Sequence, residues 1–156
     1  MPELQSPPWR IAAVKWASVI AMALLITYST HPLFTVLLQA ADEMTQSVGD
    51  NFTTLMLSGL ILVFVGAVFA LLSQKTAALR LEVGCRWAGI VLWLTIPVMV
   101  LIIWLQAAAE SGADHGGATA AFFMLLIFGG YCAIIGTVFL VASAIMRRRR
   151  LAASDL

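Results

Sequence analysis

Four long intervals without a single Lys, Arg, Asp or Glu, residues 16–41, 51–74, 87–109 and 115–146, constrain this chain more than any other feature. Each exceeds the ~20 apolar residues that an α-helix needs to cross a hydrocarbon core of about 30 Å. In lipid every backbone N–H and C=O must find a partner inside the protein, and a helix supplies those partners within its own segment. Charged residues make up 11% of the 156-residue chain and apolar residues 62%. Soluble domains carry about a quarter charged residues, so a water-soluble domain is excluded. The expected fold is an all-α integral membrane protein forming a four-transmembrane-helix bundle as one domain over residues 1–156. Its spans are expected at about 11–30, 52–72, 87–107 and 119–146, joined by connections at about 31–51, 73–86 and 108–118.

The charges are sorted by side. Arg10 and Lys15 precede the first span, Lys75, Arg80 and Arg86 lie between the second and third, and Arg147, Arg148, Arg149 and Arg150 follow the fourth. The other two connections hold Asp42, Glu43, Asp50, Glu110 and Asp114 and no basic residue. By the positive-inside rule both termini and the middle connection are cytoplasmic. The arginine run reads as the anchor of the last helix rather than as a nucleic-acid patch. Trp9 and Trp16 at the start of the first span, and Trp87 and Trp104 about 25 Å apart along the third, suit the two headgroup levels. Thr27-Tyr28-Ser29 is a poor cleavage site, so the first helix is expected to stay uncleaved.

Small residues mark expected packing faces: Ala13, Ala17 and Ala21 in the first span, Gly59 and Gly66 in the second, and Gly129, Ala133 and Gly136 in the fourth. The short connection after the second span predicts an antiparallel pair of spans two and three. Pro97 should bend the third span, with Thr95 taking up part of the freed backbone bonding. After Pro32 the pattern turns amphipathic over about 32–46, with Leu33, Phe34, Leu37 and Leu38 on one side and Thr35, Gln39, Asp42 and Glu43 largely on the other. Such a segment either lies flat at the outer interface or extends the first span stiffly.

The chemistry-bearing residues are few. Charged groups inside a membrane usually mark ion or proton paths, and the four charge-free intervals that make up the body of these spans offer none. Cys85 and Cys132 sit at different levels and read as free thiols. His31 and His115 both fall on the outer side. They could ligate a b-type haem, or join Asp42, Glu43, Glu110 and Asp114 around a metal, but solvated or capping histidines are the commoner outcome. Phosphate-binding loops, zinc-protease motifs, nucleophile elbows and nucleic-acid modules are missing from the sequence. The leading expectation is therefore a non-enzymatic accessory, assembly or stabilising subunit in the bacterial cytoplasmic membrane, in contact with lipid and with other membrane subunits or its own copies. Its expected docking surface is Leu33, Phe34, Leu37 and Leu38. The alternatives are a redox component holding haem b through His31 and His115, and a self-associating channel with Thr95, Pro97 and Thr137 near the path.

Overall fold

A computed structural model describes residues 8–45, 51–109, 122–123 and 125–154. They form helix α1 (Pro8–Thr45), α2 (Phe52–Leu72), α3 (Ala77–Ala109) and α4 (Gly130–Ser154), with a π-helical turn, Leu125–Gly129, leading into α4. All four helical regions contain a stretch long and apolar enough to cross a membrane. The all-helical, four-span architecture expected from the charge-free intervals is therefore present.

The helices outrun the apolar intervals. α1 has 38 residues and α3 has 33, roughly 57 Å and 50 Å at 1.5 Å per residue, against a core of about 30 Å. α1 passes through Pro32 without a break, so the segment after it is a continuation of the first helix. The loss of one backbone donor at Pro32 is surrounded by hydroxyls that bond back to their own helix: Thr27 donates to the Ala23 carbonyl, Ser29 to Leu25 and Thr30 to Thr27. The connection expected over 73–86 shrinks to Ser73–Thr76. The Thr76 hydroxyl accepts the Leu79 N–H at 3.2 Å and caps α3. Absence of charge locates what can sit in lipid, whereas the Ala, Leu, Arg and Glu that follow Thr76 remain good helix formers.

The helices lie in an open row, α2 beside α1, α1 beside α3, and α3 beside α4. The expected pairing of spans two and three does not occur, since α2 and α3 touch only slightly and α1 stands between them. The cause is small residues on both sides of α1. Val19 and Ala23 pack on Ala67 and Leu71 of α2, forming the buried cluster, while Met22 lies against Gly84 of α3, where an added Cβ would come within 2.7 Å of its sulfur. Residue numbers rise together across α1–α3, so these neighbours are parallel; α1–α2 and α3–α4 are antiparallel. The starts of α1 and α3 and the ends of α2 and α4 therefore share one end of the row. At most 28% of any span's apolar window is buried within the chain, the most in α3 and the least in α1 and α2 at 11% each.

Candidate functional site

The end of the row that collects the basic residues is built around one buried guanidinium. Arg80, on the first turn of α3, is only 4% exposed. Its Nε donates to the Leu71 carbonyl at 3.3 Å, Nη2 to the Gln74 carbonyl at 2.8 Å, and Nη1 to Ser18 Oγ at 3.3 Å. The first two acceptors lie at and just beyond the C-terminal end of α2, where the helix dipole favours a cation; the Leu71 carbonyl also accepts the Gln74 N–H at 3.1 Å. Ser18 Oγ in turn donates to the Lys15 carbonyl at 2.8 Å. One side chain of α3 thus fastens the end of α2 to α1.

Arg80 also lines a cleft of about 390 Å³ with Arg10, Ile11, Val14, Lys15, Lys75 and Ala77. Four of the seven lining residues are basic and the other three are apolar. The Arg10 guanidinium lies 5.3 Å from the centre of the Trp9 ring, a cation–π contact at the cleft's edge. Among the described residues, the one carboxylate held in an ion pair is elsewhere. Glu82, 7% exposed, meets Arg150 Nη2 at 3.2 Å and joins the end of α4 to α3.

The α3–α4 seam is a backbone contact. An added Cβ on Gly89 would lie 2.9 Å from the Gly136 carbonyl and 2.8 Å from Leu140 Cγ; one on Gly136 would lie 2.9 Å from Trp93 Cδ1 and 3.2 Å from the Gly89 carbonyl. Of the expected packing residues, Gly136 and Gly59 therefore stand at tight contacts, Gly59 receiving the Phe34 ring at 2.6 Å from an added Cβ. Ala133 is half-buried, and Gly129 is buried against its own Leu125. Ala13, Ala17 and Ala21 are exposed, and among the described residues nothing lies within 4 Å of a Cβ added to Gly66. These two small-residue faces point away from the rest of the chain.

The outer segment is partly occupied from within. Phe34 covers Gly59, Leu33 and Leu38 are half-buried, and Leu37 is exposed. His31 is exposed on α1; His115 lies outside the described residues, as do Glu110 and Asp114. Thr95 is fully buried, and its hydroxyl donates to the Val91 carbonyl at 3.0 Å, two residues before the Trp93 carbonyl that Pro97 deprives of its donor. The Thr95 hydroxyl therefore does not take up the carbonyl that Pro97 frees, contrary to expectation. Thr137 is exposed and bonds back to Ala133. Trp9, Trp16, Trp87 and Trp104 are exposed, as are Arg147, Arg148 and Arg149, whereas Arg150 is taken into the pair with Glu82.

Sequence reasoning passed over Arg80 as one more loop charge, and over Glu82, Gly84 and Gly89 altogether. Two signals were present. Glu82 is the one acid between Lys75 and Arg86, and Gly84 with Ala88 repeats the small-xxx-small spacing on α3. No family model, curated protein or solved structure matches the chain.

Proposed function

We propose that the protein is an accessory or stabilising subunit of a larger membrane complex, held in a bacterial cytoplasmic membrane with its basic end in the cytoplasm. The observation that carries this reading is the unpartnered outer face of α2. Gly66 and Ala70 are exposed one turn apart on an edge helix that packs on α1 alone to any extent. Helix association in lipid gains little from the hydrophobic effect and depends on close backbone approach over small residues. A glycine is costly in a helix, by about 0.5–1 kcal/mol relative to alanine, and among the described residues Gly66 meets no neighbour that requires it. The matching occupant is a transmembrane helix of another polypeptide. The position of the basic residues at one end supports the orientation.

The test is purification from native membranes in a mild detergent, with a photo-crosslinking residue at Leu62, the most exposed large residue on α2. A discrete crosslinked polypeptide that disappears in Gly66→Leu, and persists when Arg147, Arg148 and Arg149 are replaced by Ala, supports the reading. A lone monomer with no crosslink rejects it, and a crosslink only to a second copy of the same chain replaces the accessory role with self-association.

A further inference from the structure

We infer that the cleft between the starts of α1 and α3 binds the phosphate of an anionic phospholipid headgroup. Arg80 is a buried, permanently charged group whose hydrogen-bond partners among the described residues are two carbonyls and a hydroxyl, all neutral. A buried charge is ordinarily paired, because desolvation without a counter-charge is expensive. Among the described residues, Glu82, two positions along α3 and so on the opposite face of that helix, is committed to Arg150 of α4. The guanidinium has five N–H donors, so three bonds leave it able to donate further. Arg10, Lys15 and Lys75 surround the same space, and all three are exposed at its rim.

The cleft's shape favours a lipid over a free anion. Ile11 and Val14 form its apolar wall and are 62% and 59% exposed. They sit on α1 just before the apolar interval that begins at Trp16, so the wall continues directly into the span. Trp9 and Trp16, both largely exposed, flank it on the same helix at a level where indole rings favour headgroups. A phosphodiester placed among the four cations would lay its glycerol and first methylenes along Ile11 and Val14. Basic pockets between transmembrane helices hold anionic headgroups by this combination of charge and apolar wall.

The experiment reconstitutes the full chain in nanodiscs of phosphatidylcholine with a minority of phosphatidylglycerol and measures lipid retained through detergent exchange by native mass spectrometry. Wild-type protein should retain phosphatidylglycerol over phosphatidylcholine. Lys15→Ala with Lys75→Ala, which leaves the Arg80 bonds in place, should cut that preference about 30-fold, at about fivefold per lysine. Arg147→Ala with Arg148→Ala and Arg149→Ala removes more charge from the same end but none from the cleft, and should leave the preference within about twofold. No preference in wild type, or losses that follow total charge in both variants, would overturn the assignment. In phosphatidylcholine nanodiscs, inorganic phosphate alone should not raise the melting temperature. A phosphate-induced rise that phosphatidylglycerol does not reproduce would reassign the cleft to a free anion.

Discussion

The α3–α4 seam and the outer face of α2 are both lined by glycine, yet the glycines serve opposite ends. At the seam, Gly89 and Gly136 are crossed by each other's carbonyls and by Leu140 and Trp93, so that even a methyl group has no room. On α2, the space around Gly66 is open. The first pair records a contact made inside the chain, and the second leaves a surface ready for one made outside it. Residue type alone does not separate the two. What separates them is whether the neighbouring helix carries a matching small residue at the same level, as α3 does for α4.

The largest effect expected from breaking this contrast is at the seam. Gly136→Leu must displace Trp93 and the Gly89 backbone together, and should cost at least the upper part of the about 1–3 kcal/mol typical of overpacking. Gly136→Ala and Gly89→Ala should fall lower in that range. Thermal unfolding in detergent followed by tryptophan fluorescence reads the change, with Trp93 as a local reporter. A Gly136→Leu protein as stable as wild type would mean that the seam does not hold α4.

How far these features could be read from the sequence follows from what each depends on. Span number and the clustering of basic residues depend on composition along one dimension, and the charge-free intervals gave both directly. Neighbour relations depend on three-dimensional choice, and there local reasoning misled. The short connection expected at about 73–86 suggested that α2 and α3 pair, but α1 inserts between them because Gly84 admits Met22 and Ala67 admits Val19 and Ala23. Likewise Phe34 looked like a docking residue because its target, Gly59, lies in another span. Arg80 was invisible for a related reason, since the groups that bury it come from the end of α2 and from Ser18.

Charged groups extend the comparison to the ends of the two edge helices. Arg80 fastens the C-terminus of α2, and Arg150 fastens that of α4 through Glu82. Arg80→Ala removes a donor from the Leu71 and Gln74 carbonyls and from Ser18 at once, and should cost about 2 kcal/mol, as hydrogen bonds from a charged donor are each worth about 1.5–3 kcal/mol before water takes the freed acceptors. Hydrogen exchange should show the loss at Ala70–Gln74 before the middle of α2. The second fastening is weaker and asymmetric. Arg150, whose side chain is 44% exposed, can be solvated when alone, whereas the Glu82 side chain is 9% exposed. Arg150→Ala opens the carboxylate to water from the arginine's exposed side and should therefore cost about 1 kcal/mol, and Glu82→Gln less than that. The reverse order in parallel melts would show that Glu82 is wetter than its burial implies.

The smallest effect is the most discriminating. Gly66→Ala adds a methyl group to a position with no neighbour within 4 Å, so the isolated protein should gain stability by about 0.5 kcal/mol from the lower conformational entropy of alanine in the unfolded chain. Association with a partner helix should move the other way, because the same methyl group holds the two backbones apart. Measured together, a slightly higher melting temperature with a weaker Leu62 crosslink would establish that Gly66 is kept for contact outside the chain. A lower melting temperature of the isolated protein would mean that α2 already packs on that face, and would make the flank a second seam like that of Gly89 and Gly136.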